Sequence, residues 1–106
     1  MSNRDEKITE ILRELGAKFL LLNGNGTSLL TVTKAELTRD AKRATIFFTV
    51  FPQEFEKTAL EFAKRKRPEF KEFVMQNSKL GRIPHMDFAI DEGEKNRQKI
   101  DQLLNE

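Results

Sequence analysis

The strongest constraint on the fold of this chain is a run of four cations and a proline, residues 64–68 (KRKRP), between two helix-like segments. Proline disfavours the α-helical conformation of the residue before it and fits well at the first position of a new helix. The run therefore predicts a joint, with a second helix beginning at Pro68 and Arg67 near its N-cap.

Such a joint suits a phosphate group. The free N–H groups and the positive dipole end of a helix attract anions, and Arg67 offers no side-chain acceptor for those donors. We expect the four basic side chains to face the same place. A solvated charged turn is the alternative interpretation.

Apolar periodicity and turn residues predict the remaining elements. In chain order, these are a helix over 3–15, strands over 29–37 and 44–51, helices over 53–64 and 68–80, a strand over 85–90 and a last helix after Asp91. We expect Gly16 and Gly81 to end the first and third helices. The first strand changes parity once, which a bulge near Lys34 and Ala35 would explain.

The order αββααβα predicts an α+β fold in a single domain over residues 1–106. Two adjacent strands form a hairpin, and the third joins them after a helix pair. We expect a three-stranded sheet with helices packed on one face and the other face largely open.

Composition narrows the class of protein. No apolar run approaches the roughly 20 residues that span a bilayer, and the first residues show no apolar secretory segment. The chain has no cysteine, hence no disulfide and no thiolate metal site. Cytoplasmic residence is the expectation. The lone His85 does not indicate a metal site or a general base, and no catalytic or nucleotide-binding motif is present, so we predict no enzyme and no cofactor.

Charge is concentrated in one segment. Residues 63–82 hold seven cations and two anions, although the whole chain has a net charge of only +2. The rest of the chain is therefore mildly acidic. This uneven distribution of charge favours docking on a polyanion through one face of the protein.

Three pieces of the sequence resemble the ribosome-binding factor A family. They are residues 30–40 (LTVTKAELTRD), 41–50 (AKRATIFFTV) and 79–91 (KLGRIPHMDFAID), so the resemblance is strongest over 29–91. At the helix joint, Pro68 stands where the family carries the glycine of an Ala-x-Gly element. The resemblance implies a type II K-homology-like fold and a non-catalytic assembly factor. Such a factor binds the small ribosomal subunit and its rRNA during late maturation and rRNA processing.

The resemblance and the charge pattern together predict the RNA-binding residues. They are Arg39, Lys42, Arg43, Lys64, Arg65, Lys66, Arg67, Lys71, Lys79 and Arg82. Lys79 and Arg82 would also complement the dipole at the end of the third helix, and Asp40 would set the hairpin turn. The predicted partner is the small subunit, bound by a monomer, with no membrane and no small-molecule substrate.

Two other functions stay open. Phe47 and Phe51 lie on the outer sheet face, where they could stack on bases unless the first or last helix covers them. That face, or an apolar strip on the last helix, could instead dock a protein, which would make the chain an adaptor. A general single-stranded RNA binder is the third hypothesis. Phe48, Phe62, Phe70, Phe73 and Phe88 are predicted to be core residues.

Overall fold

The computed structural model describes residues 3–24 and 26–104. The elements are α1 (Asn3–Asn23), β1 (Leu29–Leu37), β2 (Arg43–Phe51), a 3-10 turn (Gln53–Phe55), α2 (Glu56–Arg65), α3 (Arg67–Asn77), β3 (His85–Ile90) and α4 (Glu92–Leu104). The predicted order αββααβα is confirmed.

The sheet has the strand order β1-β2-β3. β1 and β2 are antiparallel, as a short hairpin requires, whereas β2 and β3 are parallel because the helix pair α2–α3 carries the chain back. The predicted bulge is present between Val32 and Lys34. It lets Val32 and Ala35 both pack against the core, since the extra residue restores the parity of the strand.

The first helix is longer than predicted, because Gly16 does not end it. A Cβ atom at Gly16 would lie only 3.0 Å from Ile46 Cγ2, so the glycine permits close contact between α1 and the sheet. Phe19 and Leu20, one turn later, are each only 2% exposed. The helix ends at Asn23, whose Nδ2 donates to the carbonyl of Phe19 at 2.8 Å. Asn25, two residues after the helix end, lies outside the described residues.

The third helix is shorter than predicted and ends at Asn77, before Leu80 and Gly81. Polar side chains satisfy its last carbonyls: Asn77 Nδ2 donates to Phe73 O and Ser78 Oγ donates to Val74 O. Local hydrogen bonds of this kind compete with continuation of the helix. Leu80 still packs against the core, but from the loop.

The core lies between the sheet and helices α1 to α3. Its buried apolar residues are Leu12, Leu15, Phe19, Leu20, Ala44, Ile46, Phe48, Val50, Ala59, Ala63, Phe70, Val74, Met86 and Phe88. The ring of Phe70 on α3 contacts both α1 and the sheet, because its centroid is 5.2 Å from the ring centroids of Phe19 on α1 and Phe88 on β3. Phe62 and Phe73, predicted as core, are only half-buried.

The last helix begins at a partial capping box. Asp91 Oδ1 accepts the Glu94 N–H at 3.0 Å, and the two residues have the three-residue spacing of this motif. The reciprocal bond is absent because the Asp91 N–H donates to Phe48 O and the Glu94 carboxylate pairs with Arg97. None of the described α4 residues is buried, and Lys95 Nζ ties the helix to Glu56 Oε1 of α2 at 3.1 Å. No helix in the described ranges is long and apolar enough to cross a membrane.

Candidate nucleic-acid interface

The predicted joint between α2 and α3 is present, and it consists of a single residue. Lys66 lies between α2 and α3 with φ −89° and ψ 6°. Its N–H donates to Phe62 O and Ala63 O, and its carbonyl accepts the Phe70 N–H at 2.9 Å. α3 therefore begins at Arg67, one residue earlier than predicted, and Lys66 rather than Arg67 is the N-cap. The N-cap N–H of Lys66 is already bonded to α2, and Pro68 in the first turn has no N–H, so the helix offers an anion fewer donors than expected.

An open groove of about 730 Å³ separates the joint from the start of β3. We call it the joint groove. The residues that line it are Lys64, Arg65, Arg67, Pro68, Lys71, Ile83, Pro84, His85 and Met86. The structure thus brings together four of the predicted RNA-binding cations beside the only histidine.

Lys66 does not belong to this groove. Its Nζ lies 5.9 Å from the centroid of the Phe62 ring. The expectation that all four cations of the run face one place is therefore wrong. Lys66 is the residue between the two helices, and its side chain lies beside the Phe62 ring of α2 rather than in the groove.

An acidic residue that sequence reasoning missed lies at the edge of the joint groove. Asp87 Oδ1 is 3.0 Å from Lys64 Nζ and 3.3 Å from Arg67 Nη1, and it also accepts the Phe88 N–H at 2.8 Å. Arg67 Nε donates to Lys64 O at 2.9 Å, which orients the guanidinium. Partial burial alone would raise the pKa of Asp87, but the Lys64 bond, the Phe88 N–H and the two cations lower it below its ordinary value.

The sequence held only a weak signal for Asp87. Strand alternation places it opposite the core-facing Met86 and Phe88, which marks it as a non-core residue. Its contact with Lys64, however, joins positions 23 residues apart and depends on β3 being an edge strand next to the helix pair.

A second, smaller pocket of about 220 Å³ lies at the hairpin end of the sheet. We call it the hairpin pocket. Its lining residues are Arg4, Asp5, Ile8, Asp40, Ala41, Lys42, Arg82 and Pro84. Pro84 also lines the joint groove, and the His85 N–H donates to Lys42 O at 2.9 Å. The joint groove and the hairpin pocket therefore adjoin, and their combined lining of seven cations and two carboxylates makes one basic face.

The hairpin turn itself is held by Asp40, as expected. Its Oδ1 accepts the Thr38 hydroxyl at 2.7 Å and the Lys42 N–H at 3.1 Å. These two bonds lower the pKa of the Asp40 carboxyl. Arg39, next to it, is exposed and lines neither cavity.

The other predicted cations lie around this face. Lys79 and Arg82 are exposed in the loop after α3 rather than at the helix end, so the predicted complement to its dipole is wrong. Arg82 reaches the hairpin pocket, whereas Lys79 lines neither cavity. Arg43 is exposed at the start of β2 and is the register partner of His85.

The two outer aromatic residues differ in their surroundings. Phe47 is half-buried, with Lys34 Nζ 4.9 Å from its ring centroid, and Phe51 is 70% exposed. Among the described residues, no group of three or more His, Asp or Glu side chains could hold a metal ion. The described residues present at least two surfaces to a ligand, the basic residues of the two cavities and the exposed apolar side chains.

Comparison with known proteins gives one consistent family. The family model described as ribosome-binding factor A matches residues 4–104. A ribosome-binding factor A from Flavobacterium johnsoniae is 30% identical over 97% of this chain and 84% of its own length. One from Neisseria gonorrhoeae is 27% identical over 97% of this chain and 85% of its own length.

Solved structures agree with the fold. The crystal structure of ribosome-binding factor A from Thermus thermophilus has a TM-score of 0.71 at 18% identity, over 81% of this chain and 94% of that one. A homology model of ribosome-binding factor A from the same organism, fitted into a cryo-electron microscopy map of a 30S complex, has a TM-score of 0.66 at 18% identity. It covers 85% of this chain and 93% of its own.

Proposed function

Since the chain belongs to the ribosome-binding factor A family, we propose that it binds the small ribosomal subunit and its rRNA during late maturation, without catalytic activity of its own. The observation that carries this proposal is the basic face formed by the adjoining joint groove and hairpin pocket. The Thermus thermophilus relative was fitted into a map of a 30S complex, which supports the same partner.

RNA phosphates would dock along this face. Lys64, Arg65, Arg67 and Lys71 contact them in the joint groove, and Lys42 and Arg82 do so in the hairpin pocket. The exposed or flanking cations Arg39, Arg43, Lys66 and Lys79 add long-range attraction. With four to six phosphate contacts, affinity falls roughly 100- to 2,000-fold between 50 and 200 mM salt, if each contact contributes a slope of about 0.9.

The mechanism is occupancy. The single domain holds immature rRNA in one conformation and keeps later factors away until it is displaced. No part of this mechanism supplies energy, so release comes from competing binding or from another protein. The factor acts in the cytoplasm as a monomer, and it needs no small-molecule substrate, cofactor or metal.

A protein–protein adaptor is the second candidate, and specific exposed residues favour it. Phe51 is 70% exposed, and Ile100, Leu103 and Leu104 on α4 are 56%, 62% and 79% exposed. Apolar docking depends only weakly on salt, whereas phosphate contacts depend on it steeply. Salt dependence therefore separates the two candidates. A general single-stranded RNA binder would differ from both by tight binding to short unstructured oligonucleotides.

The test is co-sedimentation of the full chain with purified small subunits, mature and immature, and separately with large subunits, across a salt series. We expect selective, salt-sensitive binding to the small subunit. Absence of binding to either form of the small subunit would overturn the proposal and favour the adaptor.

A further inference from the structure

Two cations of the joint groove are already paired with a carboxylate of the chain. Asp87 Oδ1 bonds both Lys64 Nζ and Arg67 Nη1. Between 39% and 41% of each of these three side chains is exposed. Water and an incoming phosphate therefore reach the same ammonium and guanidinium groups that Asp87 holds.

We infer that Asp87 is an internal counterion of the joint groove, which orients Lys64 and Arg67 and weakens the attraction of polyanions that do not fit the groove. This inference rests on the proposed RNA-binding function. A phosphate that approaches either cation competes with the carboxylate for the same N–H groups. Asp87 is thus a positioning and specificity-determining residue.

Asp87 affects two kinds of RNA differently. A folded subunit presents its phosphates at fixed positions, so the orientation that Asp87 gives to Lys64 and Arg67 partly offsets the competition. A flexible strand adapts to cations in any orientation, so it gains little from that orientation and meets the full competition. The carboxylate therefore lowers affinity for unstructured RNA more than affinity for the subunit, which is discrimination against the wrong partner.

The local geometry keeps the carboxylate in this role. The Phe88 N–H donates to Oδ1 at 2.8 Å, and the Arg67 Nε bond to Lys64 O holds the second cation beside the first. The pKa of Asp87 lies below its ordinary value, so the side chain is charged at neutral pH.

The test compares Asp87→Asn with Glu72→Gln. Both changes remove one negative charge, but Glu72 is exposed on α3 and has no ion pair among the described residues. The probe is an unstructured oligouridylate, with affinity measured by fluorescence anisotropy. Since exposed ion pairs contribute little each, we expect Asp87→Asn to raise oligouridylate affinity about 5-fold over Glu72→Gln. Affinity for the small subunit should rise less.

A second background separates the counterion from a structural role. In an Arg67→Ala chain, one of the two released cations is missing, so the rise caused by Asp87→Asn should shrink to less than about 2-fold. Equal effects of Asp87→Asn and Glu72→Gln would overturn the inference, because net charge alone would then explain them. A fall in oligouridylate affinity would also overturn it. Asparagine has the same shape as aspartate, and urea denaturation of each variant verifies that it is folded.

The two proposals fail in distinguishable ways. If the wild-type chain does not sediment with small subunits but Asp87→Asn still gains oligouridylate affinity, the counterion stands and the assembly role fails. If the chain sediments with small subunits and Asp87→Asn behaves like Glu72→Gln, only the counterion inference fails.

Discussion

Two lysines of the same basic segment should contribute very differently to RNA binding. Lys71 is exposed and lines the joint groove, whereas Lys66 places its Nζ 5.9 Å from the Phe62 ring centroid, outside the groove. Lys71→Gln and Lys66→Gln each remove one positive charge. Long-range attraction therefore changes equally, and any difference reports direct phosphate contact.

The magnitude follows from counterion release. Loss of one phosphate contact lowers the slope of log affinity against log salt by about 0.9, which corresponds to about 5-fold weaker binding near physiological salt. We expect this effect for Lys71→Gln. Lys66→Gln should change the slope by less than about 0.3, since no contact is lost. It should instead lower the free energy of unfolding by about 0.5–1 kcal/mol through loss of the cation–π contact.

The assay is binding of labelled small subunits to each variant over a salt series, with urea denaturation of the free proteins beside it. Lys99→Gln on α4, outside both cavities, serves as the matched control for one lost positive charge. Equal slopes for the Lys66 and Lys71 variants, or a larger change for Lys66, would refute the assignment of the joint groove as the contact surface.

Three further predictions concern the fold. Gly16→Val should lower the free energy of unfolding by about 1–3 kcal/mol, because the added side chain overpacks against Ile46. Gly81→Ala adds its methyl group in open space and should change the free energy of unfolding by less than about 0.5 kcal/mol. Urea denaturation measures both variants. Phe70→Ala should cost about 3–5 kcal/mol in the same assay, and a cost under about 1 kcal/mol would contradict its central place in the core. Asp91→Ala should cost about 1–2 kcal/mol by removing the N-cap of α4. The Thr33 hydroxyl is the chief cause of the lowered pKa of Asp91. The ionised carboxylate therefore stabilises the folded protein at neutral pH, and this contribution is lost as pH falls below about 4. An Asp91→Ala chain should accordingly lose less stability in acid than the wild type.

Periodicity predicted the strands better than the ends of the helices. The alternation from Ala44 to Val50 and the parity change in β1 are local signals, and both appear in the structure as expected. The ends of α1 and α3 were wrong because glycine was interpreted as a stop. Gly16 instead serves a contact with Ile46, and Gly81 follows a helix that polar side chains had already ended.

The sequence predicted the basic residues as one RNA-binding set, whereas in the structure they lie at separate places. Lys64, Arg65, Arg67 and Lys71 meet in the joint groove, and Lys42 and Arg82 meet in the hairpin pocket. Lys66, the residue between α2 and α3, lies beside the Phe62 ring instead. The directions of the side chains decide which cations lie on one surface, and the sequence positions of the charges do not reveal those directions.

The sequence by itself determined the order of the elements, the helix joint at the basic run and the concentration of positive charge, because each depends on residues close together in the chain. The tertiary structure alone decided that the joint and the hairpin form one basic face, since Pro84 and His85 reach it only when β3 pairs with β2. It also placed Asp87 between Lys64 and Arg67. Such contacts join distant positions, and the packing of the whole chain, rather than local periodicity, brings them together.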